Sequence, residues 1–194
     1  LYDSEQGFDL ESASIAFVGD RDIRGVWVVP ASGGSAGRLP VNLSGANHPA
    51  WSKDGQFLYL DSESSGTGEI WRVPVAGGSP LQITHSGGSG AQVSPDGSHV
   101  YCVRDWKTPG LYRASADGKS EESVHPDPIL GWWKVTEAGV FYLSPPPRKL
   151  CLLELATRRS KVLFEVSGTL PHHTKSLAVS HDGRRVLFVR YDYL

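Results

Sequence analysis

Four stretches of this chain align on one another: PAWSKDGQFLYL at 49–60, AQVSPDGSHVYCV at 91–103, WKVTEAGVFYL at 133–143 and LAVSHDGRRVLFV at 177–189. Their turn glycines, Gly55, Gly97, Gly139 and Gly183, lie 42, 42 and 44 residues apart. No other feature limits the fold as tightly, because a fixed period of this length means one supersecondary unit built repeatedly and stacked on itself. A second motif keeps the same phase, as VWVVPASGG at 26–34, IWRVPVAGG at 70–78, LYRASADG at 111–118 and a divergent LCLLELATR at 150–158. A third, shorter element follows it as RLPVNL, PLQIT, EESVH and KVLFEV.

Each unit therefore reads as strand, D-G turn, strand, strand, turn, strand. Glycine in D-G and G-G pairs accepts the positive φ of tight hairpins, and the flanking β-branched and aromatic residues suit a pleated, half-buried surface. The 22 Gly, 13 Pro, 6 Trp, 7 Tyr and 6 Phe fit many short strands and leave no stretch for a long helix. A four-stranded blade repeating every 40 to 45 residues or so is the unit of a β-propeller. The expected fold is thus an all-β propeller of about four to five antiparallel blades. The units run approximately over 7–44, 45–86, 87–126, 127–168 and 169–194, the last holding only two strands. In the first strands Trp51, Val93, Val135 and Val179 hold one apolar position, which should pack between adjacent blades, while Ala50, Gln92, Lys134 and Ala178 face the other way.

The motifs WSKDG, VSPDG and VSHDG, each followed by an apolar strand and then an IWRVPVAGG-like segment, resemble the W-S-P-D-G-type repeats of TolB-like propellers. The resemblance covers nearly the whole chain and is weakest over 1–12 and 124–150. Thr136-Glu137-Ala138-Gly139 departs from the S-P-D-G pattern, and Pro145-Pro146-Pro147 intrudes before the third strand of that unit. Similar repeats occur in the propellers of prolyl oligopeptidase-type enzymes and in sensory propellers of bacterial winged-helix regulators. The resemblance implies a protein-binding scaffold in a periplasmic or extracytoplasmic setting.

Composition narrows the partners. A formal charge of −2 and a pI near 6.4 offer no basic field for nucleic acid and no polybasic run for anionic lipid. No stretch approaches the roughly 18 apolar residues of a spanning helix, so no membrane insertion is expected. The sequence holds no Met, position 1 included, and is expected to be a piece of a longer polypeptide. An incomplete last blade leaves an open sheet edge, which favours completion by dimerisation. The two cysteines, Cys102 and Cys151, sit in apolar runs and read as small buried hydrophobes.

Catalytic motifs lose their context on inspection. Gly33-Gly34-Ser35-Ala36-Gly37 satisfies G-x-S-x-G, but RLPVNL follows where a nucleophile elbow needs a helix, and the same slot one unit later is Gly77-Gly78-Ser79-Pro80. Of the seven histidines, His172 and His173 are adjacent and would point to opposite faces of a strand, and His48, His85, His99, His125 and His181 fall at different repeat positions, so no metal or other cofactor is expected. Asp54, Asp96, Asp117 and Asp182 precede turn glycines and read as turn residues.

Strand direction alternates within a blade, so the 1-2 and 3-4 turns share one face and the 2-3 and 4-1 connections share the other. The second face carries the variable loops, where binding residues concentrate. The ligand-binding candidates there are Arg104, Asp105 and Trp106, Trp132, and the histidines His48 and His172. Function is expected to be non-catalytic binding of a protein, peptide or small ligand. The alternatives are an accessory gating propeller of a prolyl oligopeptidase-like hydrolase, or an enzyme with a cross-blade site.

Overall fold

The computed structural model describes residues 6–9, 14–19, 25–105, 108–128, 131–168, 177–180 and 182–189, and every regular element among them is a β-strand. The first sheet joins β1 (Gln6–Asp9), β2 (Ser14–Gly19), β3 (Gly25–Pro30) and β4 (Gly37–Arg38). The second joins β5 (Asn47–Trp51), β6 (Phe57–Ser62), β7 (Glu69–Pro74) and β8 (Leu81–Gln82), and the third joins β9 (Ser89–Val93), β10 (His99–Val103), β11 (Leu111–Ser115) and β12 (Glu121–His125). The fourth holds β13 (Trp133–Thr136), β14 (Gly139–Leu143), β15 (Lys149–Glu154) and β16 (Arg159–Glu165), and a two-stranded sheet of β17 (Leu177–Val179) and β18 (Val186–Phe188) closes the series. All pairings are antiparallel between chain neighbours. The first strands contact one another in succession, β1 on β5, β5 on β9, β9 on β13 and β13 on β17, as in a propeller seen down its axis.

The D-G turns are built alike. Ser52 Oγ donates to Asp54 Oδ1 (2.6 Å), which accepts the Gln56 amide (3.1 Å), while Ser52 Oγ accepts from Phe57 N (2.9 Å). Ser94 with Asp96 and Ser180 with Asp182 repeat the network. The carboxyls of Asp54 and Asp96 are held below the usual range, first by the serine hydroxyl and then by backbone amides. These acids are spent on their turns. The fourth sheet differs: Thr136 pairs directly with Gly139, a two-residue hairpin in which Gly139 is the first residue of β14. Its φ is +127°, and a Cβ there would lie 2.2 Å from the Leu153 carbonyl oxygen, so only glycine fits.

The core is a series of layers between sheets. Trp51, Val93, Val135 and Val179 each join a different inter-sheet cluster, between the first and second, second and third, third and fourth, and fourth and fifth sheets. Gln92, on the opposite face, spans to the next first strand: its Nε2 donates to Trp133 O (3.0 Å) and its Oε1 accepts from Val135 N (3.0 Å). Cys102 and Cys151 are free thiols buried in two of these layers, and burial pushes the Cys102 thiol up to about 12.

Two outcomes follow. Neither cysteine should react with an alkylating reagent under native conditions at mildly alkaline pH, and both should react once urea unfolds the chain. Ile83→Ala, at a site with no exposed surface, should cost about 2–5 kcal/mol in the unfolding free energy.

A candidate binding cleft between the second and third sheets

A cleft of about 450 Å³ opens on the face that carries the 2-3 and 4-1 loops, between the second and third sheets. Its lining brings together His48, Arg104 and Asp105 from the sequence candidates, with Asp61 and Glu63 beside them. Trp132 lies elsewhere: it is 5% exposed, packed with Phe141, Leu143, Leu150 and Leu177 between the fourth and fifth sheets. Trp106 and His172 lie outside the described residues.

Asp61 organises the cleft. It is the last but one residue of β6, opposite Asn47, where the matching position of the third sheet is Val103, opposite Ser89. An apolar slot of the repeat is thus filled by a carboxylate that is 8% exposed. Such a group must be fully hydrogen-bonded to stay buried. Ser89 Oγ donates to Oδ2 (2.6 Å), Gly90 N donates to Oδ1 (3.0 Å), and His48 Nδ1 contacts Oδ2. Three of these groups come from two different sheets, so Asp61 also ties the sheets together.

His48 is strained into place. The register of β5 on β6 shifts between Asn47 and Ala50, and that of β9 on β10 shifts between Tyr101 and Val103. Gly90 occupies the bulge in the third sheet with φ +68°, and His48 occupies it in the second with φ +50°. Glycine is at ease there and an L side chain is not. A histidine held in this conformation by a buried carboxylate marks a site where side-chain placement outweighs local backbone cost.

Behind the cleft a second buried acid shapes the 4-1 loop. Glu69, 3% exposed, accepts from Thr84 Oγ1 (2.6 Å), Gly87 N (3.0 Å) and Thr67 Oγ1 (3.3 Å). Arg104 closes the far wall: its guanidinium donates to Gly87 O (3.2 Å) and Glu121 Oε2 (3.1 Å) and lies 4.2 Å from the centre of the Tyr112 ring. Asp105 accepts from Thr108 N (2.6 Å) and Thr108 Oγ1 (3.0 Å). With Glu63 exposed at the rim and Arg104 engaged by Glu121, the open edge of the cleft carries acidic character.

The motif reading missed Asp61 and Glu69. Their signal was present: FLYLDS and EIWRV carry acids where HVYCV and GLYRA of the next unit do not.

Two other constellations resolve as structure. A wider groove of about 660 Å³ opens on the D-G turn face between the third and fourth sheets. There Arg113 and Arg158 both reach Glu122 at 2.5 Å, and Arg158 first, then Arg113, holds that carboxyl low; both arginines are engaged in bracing two sheets. Ser160, His125 and Tyr142 also meet, with Ser160 Oγ 3.0 Å from His125 Nε2. His125 Nδ1 accepts from Asp127 N (3.2 Å), which places the ring proton on Nε2. That nitrogen can only donate to Ser160, so it cannot draw the serine proton. Among the described residues no group of three or more His, Cys, Asp or Glu side chains is arranged to hold a metal ion.

These contacts predict two measurable effects. His48→Ala should destabilise more than His48→Gly, by about 1 kcal/mol in urea unfolding, because alanine keeps the left-handed strain that glycine relieves. His125 binds its proton less readily in the folded chain, chiefly through burial. The unfolded chain then takes up more protons as pH falls through the ordinary imidazole range, so stability is present above that range and declines below it. Between about pH 8 and about pH 5, His125→Gln should show a shallower fall in urea midpoint than the parent chain.

No family model matches the chain. A tricorn protease homolog from Streptomyces coelicolor is 30% identical over 156 residues, which cover 74% of this chain and 13% of that protein. TolB from Agrobacterium tumefaciens superimposes with a TM-score of 0.78 at 20% identity over 98% of this chain and 74% of its own. TolB from Acinetobacter baumannii gives a TM-score of 0.75 at 16% identity over 97% of this chain and 48% of its own. The chain thus spans about one eighth of the curated relative and half to three quarters of these TolB structures. Together with the repeat and the sheet order, these likenesses show the fold: the chain is a run of β-propeller blades like those of the TolB structures.

Proposed function

We propose that this propeller is a binding module, and that the cleft between the second and third sheets receives a basic group presented by a protein or peptide partner. The observation that carries this reading is Asp61: a buried carboxylate in an apolar slot of the repeat, with His48 in a strained bulge fixed beside it. Structure alone does not call for either residue, since the next unit builds the same corner with Val103 and Gly90. Glu63 and Asp105 at the rim supply the attraction for a cation, and the ring of Tyr112 beneath Arg104 keeps that wall rigid.

A tethered library of short peptides, half carrying Lys or Arg and half carrying Asp or Glu, tests this. Peptides with basic residues should be retained, less so as salt rises. Glu63→Lys should weaken retention about tenfold or more with an unchanged unfolding midpoint. Equal retention of acidic peptides, or indifference to Glu63→Lys, would refute the reading.

A second reading comes from the protease named in the Streptomyces relative: the chain serves as the propeller of a larger peptidase. In that case the cleft would select or gate peptide substrates, and basic peptides bound to it would be cut only when the rest of such an enzyme is joined to the chain.

A further inference from the structure

One position at the end of the second strand is serine in the second and fourth sheets, Ser62 and Ser144, and arginine in the third, Arg104. Each stands two residues after Leu60, Tyr142 or Cys102, which face Trp71, Cys151 and Tyr112 on the third strand. In the second sheet this residue holds a carbonyl of the loop that enters the first strand: Ser62 Oγ donates to Ser44 O (2.6 Å). In the fourth sheet Ser144 Oγ serves its own loop, 3.0 Å from Pro145 O and 3.1 Å from Pro147 O. A hydroxyl therefore suffices to brace a loop here. In the third sheet a single nitrogen of Arg104 does that work, since Nη1 donates to both Gly87 O (3.2 Å) and Glu121 Oε2 (3.1 Å).

The rest of the guanidinium is fixed but unspent. Its carbon stands 4.2 Å from the centre of the Tyr112 ring, and Gly110 leaves room for that ring, because a Cβ at Gly110 would lie 3.0 Å from it. Among the described residues the N–H bonds of Nε and Nη2 meet no acceptor. A side chain that is 23% exposed thus holds one two-donor edge in a set direction, on a wall of the cleft.

Taking the cleft as the binding site, we infer that its guest is dipolar: Nε and Nη2 of Arg104 receive a carboxylate, and Glu63 and Asp105 receive the basic group beside it. A purely cationic guest would bring like charge against a guanidinium held in the same cleft, and a carboxylate on the guest turns that repulsion into attraction. The edge of Nε and Nη2 suits a carboxylate because both are planar and offer two partners side by side, which gives two parallel charge-assisted bonds. A phosphate fits less well, since its second charge would face Asp61, Glu63 and Asp105 together. Arg104 and Asp105 are consecutive and both line the cleft, so the two charges of the guest lie within a residue or two of each other. Such a carboxylate belongs either to an Asp or Glu next to the guest's Lys or Arg, or to the free C-terminus of a chain ending in Lys or Arg.

Fluorescence anisotropy with labelled Gly/Ser peptides tests this and separates the two sources. The guests, blocked at both ends unless stated, carry a single Lys, Lys beside Glu, Lys beside Gln, or a final Lys with a free carboxylate. At least one of the two dipolar guests should bind about tenfold or more tightly than the single-Lys peptide, and Gln in place of Glu, or an amide on the terminus, should lose the gain. Whichever dipolar guest gains identifies the source. A cleft that only collects cations gives the opposite order, because Glu63 and Asp105 would repel the added carboxylate. Arg104→Lys, which keeps the charge but not the two-donor edge, should remove the gain. The comparison of Glu with Gln guests is made on the parent chain and does not depend on that variant folding. Single-Lys binding with no dipolar gain, or a gain that survives Arg104→Lys, overturns the dipolar guest and leaves the cleft standing. Binding of no guest at all overturns both.

Discussion

The second, third and fourth sheets are each apolar on both faces, and that constraint governs the rest of the molecule. A sheet with two apolar faces has to be covered twice, which a chain of similar sheets achieves only by stacking each on the next. The clusters follow this rule. Tyr59 and Ile70 of the second sheet look toward the third, while Leu58 and Val73 of the same strands look toward the first. Gln92 shows how far the layers are locked together, because its side-chain amide completes the backbone of the following first strand.

Regularity at the core allows departures to be recognised. On the D-G turn face, serine, aspartate and glycine repeat the same hydrogen bonds four times, at Ser52, Ser94, Ser115 and Ser180, and the acids there are consumed by local amides. On the opposite face the second sheet replaces apolar or glycine positions of its neighbour with Asp61, Glu69 and His48. Burying two carboxylates at one corner is costly unless several donors converge on each, and six such donors do. This concentration of polar order lies on the face where the loops vary, which is why the cleft, rather than the wider groove braced by Glu122, is the functional candidate.

The period, the strand order and the turn chemistry were all legible in the amino-acid sequence, because each is set by residues within a few positions of one another: Asp before Gly at a hairpin, Val or Trp at one phase of a first strand. The side on which ligands would be met was also legible, since strand alternation alone assigns loops to faces. His48, Arg104 and Asp105 were picked out from that side and do share a cleft. Trp132 was picked by the same logic and is core, because a loop-adjacent tryptophan and an inter-sheet tryptophan look alike until the neighbouring sheet is placed over it.

By itself, then, the sequence determined that this chain is a stack of four-stranded antiparallel units with structural turns on one face. Only the tertiary structure decided which polar residues are buried together and that His48 stands in a bulge its sibling gives to glycine. The physical reason is separation along the chain. Turns and strands arise from contacts within one unit, whereas Asp61 meets Ser89 and Gly90, and Leu39 meets Val73, across the interface between units.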